Sequence, residues 1–96
     1  MMTIRKWFGN TPPDLIKFPE VEFNEYGLEQ WYGVPTKVLK WDSAEIKKWL
    51  DLPFDDDYGT QYVPSFFAWT NDHVFYVSEY DGSTALASVP RNPPSF

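Results

Sequence analysis

The sequence predicts an α+β fold, in which a small antiparallel sheet of about four or five strands packs against one main helix. Three observations lead to this prediction. Residues 65–89 contain three strand-like runs joined by two tight turns, and residues 43–51 have the spacing of an amphipathic helix. Aromatic side chains make up 20% of the 96 residues, which is enough apolar bulk to fill a core and argues against disorder. A chain of this length forms a single domain, which we place at residues 1–89, followed by a proline-rich tail at 90–96.

The first forty residues predict only short elements. Residues 3–8 mix β-branched and aromatic side chains before a cluster of glycine, asparagine and prolines, which favours a strand. Residues 14–23 are apolar enough for a strand, but Pro19 limits them to an edge strand or an extended loop. Residues 24–31 favour one helical turn, and residues 36–41 favour another strand.

The main predicted helix follows these segments. Ile46, Trp49 and Leu50 are spaced so that they share one face, while acidic and basic residues occupy the other face. An aspartate and a serine precede this pattern and can cap the helix start. Pro53 prevents its continuation, so we predict a helix from Ser43 to about Asp51.

The last third of the chain predicts a three-stranded antiparallel meander. Residues 66–70 form the first strand, and Asn71 and Asp72 supply turn chemistry. Residues 73–80 have the strongest strand composition of the chain. The Asp-Gly pair at 81–82 is a hairpin signal and leads into the returning strand at 84–89.

The core prediction depends on which face of each strand turns inward. The middle strand begins apolar on both faces, so it lies centrally, with either Phe75 and Val77 or Val74 and Tyr76 toward the helix. The predicted core combines the apolar helix face with large side chains of the meander, and it consists of Ile46, Trp49, Leu50, Phe67, Trp69, Phe75, Val77 and Leu86.

Composition excludes several kinds of chemistry. The chain has no cysteine, which removes disulfides, thiolate zinc sites and cysteine nucleophiles, and it has a single histidine, His73. His73 lies at a predicted hairpin edge without a nucleophile-elbow motif, and glycine-rich phosphate loops are absent from the sequence. We therefore predict no catalytic residue, no metal site and no cofactor. With no signal peptide and no long apolar run, we expect a cytoplasmic protein without membrane contact.

The charge is unevenly distributed along the chain. Residues 1–50 contain seven basic and seven acidic side chains, whereas residues 51–96 contain one basic and seven acidic side chains. The whole net charge of −6 therefore belongs to the second half. Direct binding of nucleic acid, which needs clustered Lys and Arg, is disfavoured, and a basic partner is favoured.

The acidic run Asp55–Asp57 is the most concentrated charge. Clustered carboxylates can bind Ca²⁺, but counting from Asp55 places Gly59 and Phe66 where an EF-hand loop needs ligands. Two interpretations stay open: a solvated loop in which like charges repel, or a carboxylate patch flanked by Tyr58 and Tyr62 that docks on Arg or Lys of a partner.

These observations favour a non-enzymatic, acidic protein-interaction module of unknown oligomeric state. We expect it to inhibit or neutralise a partner protein by docking on a basic, nucleic-acid-binding surface, in the general way that phage-encoded inhibitors and immunity proteins do. The predicted partner-binding residues are Asp55, Asp56, Asp57, Tyr58, Tyr62, Asp72, Glu79, Tyr80 and Asp81. The alternative is a ligand-binding module whose aromatic platform stacks on a glycan or a proline-rich peptide.

Overall fold

The computed structural model describes residues 1–57, 59–80 and 82–91. Within these residues it contains two short α-helices, one 3₁₀ turn and five strands. In chain order the elements are α1 (Ile4–Phe8), β1 (Leu15–Lys17), the 3₁₀ turn (Glu29–Trp31), β2 (Leu39–Lys40), α2 (Lys47–Leu50), β3 (Phe67–Trp69), β4 (His73–Tyr80) and β5 (Ser83–Pro90). Neither helix of this described part is long and apolar enough to cross a membrane.

The strands form one antiparallel sheet with the order β2-β1-β3-β4-β5. The predicted small antiparallel sheet is confirmed, and β3, β4 and β5 form its meander. Pro19 follows the short strand β1, which lies between β2 and β3 instead of at an edge. The predicted tail begins within β5, and its residues 92–96 lie outside the described residues.

The predicted main helix is not clearly supported. Helix α2 is a single turn, Lys47–Leu50, preceded by turns instead of a capped first turn. Its side chains nevertheless face inward as the spacing predicted, because Ile46, Trp49 and Leu50 are all buried. The apolar pattern therefore correctly predicted which side chains of this segment are buried. It overestimated the length of the helix.

The strand predicted at residues 3–8 is wrong, since Ile4–Phe8 form helix α1. The hydroxyl of Thr3 caps this helix by accepting a hydrogen bond from the Lys6 amide. Ile4 and Phe8 lie one helical turn apart and are both buried, while Lys6 between them is exposed. In a strand Lys6 would share the face of Ile4 and Phe8, because every second residue points the same way. Burial of this pair outweighs the strand preference of the aromatic residues.

Alternation along the sheet determines which side chains reach the core. Ile16, Ala68 and Phe75 lie side by side across β1, β3 and β4 on the inner face. Phe75, Val77 and Leu86 pack against the core, so the first of the two proposed orientations of β4 is observed. Phe67 and Trp69 were wrongly predicted as core: they flank the inward-facing Ala68 and therefore project from the opposite face.

Much of the aromatic content fills the core between the sheet and the N-terminal half of the chain. Trp31 is completely buried at its centre and stacks on Trp49 with ring centroids 5.9 Å apart. Its indole Nε1 donates a hydrogen bond to the Tyr62 carbonyl over 2.9 Å, so the buried polar atom is satisfied. This bond ties the 3₁₀ turn to the segment that follows the acidic loop.

Candidate functional site

The acidic run Asp55–Asp57 lies in a loop whose start is anchored to the N-terminus. Phe54, which immediately precedes the run, is buried and pairs with Met2 through backbone hydrogen bonds of 2.8 and 3.0 Å. Within the run, the Asp55 carboxylate accepts a hydrogen bond from the Asp57 amide over 2.9 Å. The loop thus has a defined start and an internal turn typical of aspartate.

A second anchor brings this loop to the end of the β4–β5 hairpin. The Thr84 amide donates to the Asp56 carbonyl over 3.3 Å, and Thr84 lies directly opposite Glu79 in the ladder. Glu79 is exposed, and the neighbouring Tyr80 is 83% exposed. The structure therefore brings two segments that are distant in sequence to the same end of the hairpin, a region that we call the acidic corner: Asp55, Asp56, Asp57, Glu79 and Tyr80.

Three ion pairs of the described residues involve carboxylates outside the acidic corner. They are Arg5–Asp51 at 2.7 Å, Lys37–Glu45 at 3.2 Å and His73–Asp72 at 3.1 Å. Neither Asp56 nor Glu79 is part of these pairs. Asp55, Asp57 and Glu79 are exposed, so their negative charge can act on an approaching molecule.

The remaining predicted partner-binding residues are not all brought to the acidic corner. Tyr62 is half-buried and packs against the core, where its carbonyl accepts the hydrogen bond from the Trp31 indole. Tyr58 and Asp81 lie outside the described residues. Asp72 precedes the other end of β4, about 23 Å from Glu79 at the rise of an extended strand.

Asp72 instead stabilises the turn between β3 and β4. Its carboxylate accepts a hydrogen bond from the Thr70 hydroxyl over 3.0 Å and lies 3.1 Å from Nδ1 of His73. The Thr70 hydroxyl in turn accepts from the His73 amide. The hydrogen bond with the His73 side chain, followed by that with the Thr70 hydroxyl, lowers the pKa of Asp72 below its usual value of 3.8. The Asn-Asp turn signal in the sequence thus corresponds to a real network.

Two open clefts lie on the described surface. One, of about 410 Å³, is bordered by Glu20, Glu25 and Tyr26, and the other, of about 530 Å³, by Asp14, Lys40 and Trp41. His73 lines neither cleft. In the described part of the chain, no three carboxylate or imidazole side chains converge closely enough to hold a metal ion.

Sequence reasoning missed an apolar surface on the side of the sheet that faces away from the core. Phe67 and Trp69 stack there with centroids 6.5 Å apart and an interplanar angle of 29°. Neighbouring strands extend this surface, which we call the outer aromatic face: Leu15, Phe67, Trp69, Val74, Tyr76 and Val89. The unbroken apolar run around Ala68 was its only signal, because both faces of β3 are apolar.

Three further aromatic side chains are exposed, and one of them borders the cleft of about 410 Å³. Phe23 and Tyr32 meet edge to face with centroids 5.4 Å apart, and Tyr26 borders the cleft itself. Their exposed fractions are 75%, 57% and 76% respectively. The sequence analysis placed Phe23 at the end of the segment 14–23 and Tyr26 in the helical turn 24–31, and it assigned none of the three a role.

Comparison with known proteins adds no relative to this description. No family model matches the chain, and no curated protein or solved structure is significantly similar to it.

Proposed function

We propose that this chain is a non-enzymatic protein-interaction module whose acidic corner docks on a basic surface of a partner protein. The observation that supports it most directly is the hydrogen bond from Thr84 to Asp56, which sets the acidic loop beside Glu79 and Tyr80. Three carboxylates of the loop and that of Glu79 then lie at one end of the hairpin, where Tyr80, the next residue of β4, exposes its ring. Charged groups steer the encounter, and a tyrosine supplies apolar contact area.

The kind of partner follows from the charge distribution. All of the net charge of −6 arises after residue 50, and a field of this sign attracts clefts that carry clustered Arg and Lys. Such clefts usually bind nucleic-acid phosphates, so an acidic module that occupies one competes with nucleic acid. Inhibition or neutralisation of the partner is the resulting activity, by analogy of mechanism with small inhibitors and immunity proteins.

The test uses an arginine-rich peptide with a fluorescent label as a probe of the basic surface. The corner variant combines Asp55→Asn, Asp56→Asn, Asp57→Asn and Glu79→Gln, which keep side-chain size and oxygen acceptors. The matched control removes the same charge elsewhere, through Glu20→Gln, Glu22→Gln, Glu29→Gln and Asp42→Asn, all at exposed positions. Peptide affinity is measured by fluorescence anisotropy at about 50 mM and about 300 mM salt.

We expect the corner variant to bind the peptide about tenfold more weakly than the wild-type chain, and the control variant to lose about threefold or less. Binding by the wild-type chain should also fall as salt rises, since exposed charges are screened. Equal losses in both variants would mean that only the net charge matters, and the acidic corner would then have no specific role.

The outer aromatic face supports a second candidate, a platform for a glycan or a proline-rich peptide. The stacked pair Phe67 and Trp69 provides flat apolar area of the kind that sugar rings and prolines contact. Titration with glycans and a proline-rich peptide, followed by tryptophan fluorescence, should give a signal that Trp69→Ala removes and Trp49→Phe retains. An unchanged signal in Trp69→Ala would exclude this face.

A further inference from the structure

Strand β5 forms an edge of the sheet and has no charged residue from Ser83 to Pro90. Edge strands of monomeric proteins are usually protected by charges, bulges or a covering segment, because their free backbone groups pair with other strands. Strand β5 carries none of these protective charges along its eight residues. We therefore asked which of its backbone groups are free.

The hydrogen bonds at both ends of β5 identify the outward-facing groups. The Thr84 amide donates away from the sheet, to Asp56, while the Arg91 amide donates back to Asp72 beside β4. The backbone N–H and C=O groups of successive strand residues point to opposite edges of the strand. In β5 those of even-numbered residues therefore point away from the sheet, and those of odd-numbered residues point toward β4. Leu86 and Ser88 therefore direct their amides outward, and within the described residues no group pairs with them.

Part of the edge is already occupied. The Asp56 carbonyl lies 3.3 Å from the Thr84 amide, and the Gly59 amide donates to the Gly82 carbonyl over 3.0 Å. A new strand would need the same space, since paired strands lie about 4.8 Å apart. Only the part of the edge from Ala85 onward can accept one.

This limit selects one register for an antiparallel pair of identical strands. Strand β5 ends at Pro90, so the register that places Pro90 of one copy opposite Thr84 of the other meets the acidic loop. The next register that sets outward-facing residues opposite each other places Ser88 opposite Ser88 and pairs residues 86–90 of the two strands. Both outward amides then have a partner. The Ser88 amide of each copy donates to the Ser88 carbonyl of the other, and the Leu86 amide donates to the Pro90 carbonyl of the second copy.

Proline at position 90 suits this register. It has no amide hydrogen, and it is the last residue of β5 whose backbone groups point toward the second copy. The ladder of hydrogen bonds between the two copies therefore ends there. In this register Arg91, whose guanidinium donates to the Thr70 carbonyl of its own copy over 2.9 Å, comes to lie opposite Ala85 of the other copy.

We propose that two copies of this chain pair through β5 in that register, about a two-fold axis at Ser88, to form one continuous ten-stranded sheet. On the outward side, Ala87 of each copy lies opposite Val89 of the other, so the two outer aromatic faces become continuous. The acidic corners lie at the far ends of the paired edge and stay accessible.

The absence of native cysteine makes a cross-linking test direct. Single-cysteine chains Ala85→Cys, Ala87→Cys, Ser88→Cys and Val89→Cys are oxidised alone and in pairs, and covalent dimers are quantified by non-reducing electrophoresis. We expect Ser88→Cys to cross-link with itself, and Ala87→Cys to cross-link with Val89→Cys in a mixture but far less alone, since opposite residues lie within disulfide range. Ala85→Cys, opposite Arg91, is the negative control.

The unmodified chain is tested by sedimentation velocity over a concentration series from about 10 µM to about 1 mM. Ser88→Lys sets two ammonium groups opposite each other and should weaken self-association about tenfold, while Ser88→Ala should leave it unchanged. A chain that stays monomeric throughout the series would overturn the proposal. So would self-cross-linking of Ala87→Cys at the rate of Ser88→Cys, which indicates another register, or cross-linking that does not depend on position.

Discussion

Phe66 and Phe67 are adjacent in the chain but belong to opposite sides of the sheet. Phe66 is completely buried, whereas Phe67 is 49% exposed on the outer aromatic face. Phe66 contacts Trp7, Phe8 and Phe18 in the core, and Phe67 stacks on Trp69 outside it. The same residue type thus has a core role at one position and a surface role at the next.

This relationship predicts very different costs for the same substitution. Phe66→Ala should lower the free energy of unfolding by about 3–5 kcal/mol, because it leaves a cavity among aromatic rings. Phe67→Ala should cost about 1 kcal/mol or less, since its ring is half-exposed and leaves no cavity. Urea unfolding followed by far-UV circular dichroism measures both, and similar costs for the two variants would contradict the observed register of β3.

Gly27 and Gly33 provide a matched pair for the packing of the 3₁₀ turn. Both have positive φ, 86° and 89°, but a Cβ at Gly27 would lie 2.5 Å from Thr60 Cγ2, while Gly33 faces open space. Gly33→Ala should cost about 1 kcal/mol of backbone strain, and Gly27→Ala about 3 kcal/mol because overpacking is added. Thermal and urea unfolding would reveal the difference, and equal costs would show that residue 27 does not pack against residue 60.

Thr84 predicts a stabilising substitution at the acidic corner. Its hydroxyl is buried and, within the described residues, has no hydrogen-bond partner. Thr84→Val removes this unsatisfied group at nearly constant volume and should raise the free energy of unfolding by about 1 kcal/mol. Thr84→Ser keeps the hydroxyl and serves as the control. A loss of stability in the valine variant, measured by urea unfolding, would mean that the hydroxyl is bonded in solution.

Asp72 predicts a pH dependence of stability. Its folded-state pKa lies below the ordinary value of 3.8, mainly through the hydrogen bond with His73. The ionised carboxylate therefore stabilises the fold above pH 3.8, and this stabilisation is lost as pH falls through the lower, folded-state pKa. The stability difference between wild type and Asp72→Asn should shrink over this range in urea unfolding curves. A difference that stays constant down to full protonation would exclude the lowered pKa.

The sequence predicted the sheet best where strands adjacent in the chain pair across short turns. Residues 73–80 pair with the next strand, as the Asp-Gly signal at 81–82 predicted, because a hairpin signal of this kind is local in the sequence. Helix α2 was less predictable in length, because a single buried turn at Trp49 and Leu50 gives the same apolar spacing as a longer helix. The strand predicted at residues 3–8 failed since strand preference is weak compared with burial of Ile4 and Phe8 in helix α1.

The candidate site was predictable in part. Local composition identified the carboxylates of Asp55–Asp57 and of Glu79, because charge can be read residue by residue. Composition did not show that Asp72 lies at the other end of β4 from these carboxylates, since all of them belong to the same acidic half of the chain. The outer aromatic face was hidden because both faces of β3 are apolar, and alternation then gives no sign of which face turns outward.

The sequence alone determined the charge asymmetry, the absence of thiol chemistry and the antiparallel meander, each of which depends on composition or on neighbours in the chain. Only the tertiary structure decided that Phe67 and Trp69 face outward and that Asp56 lies beside Thr84. The reason is physical: strand pairing across a tight turn is a local interaction. Burial of a particular face and the docking of a loop depend instead on segments dozens of residues away, whose packing local patterns do not record.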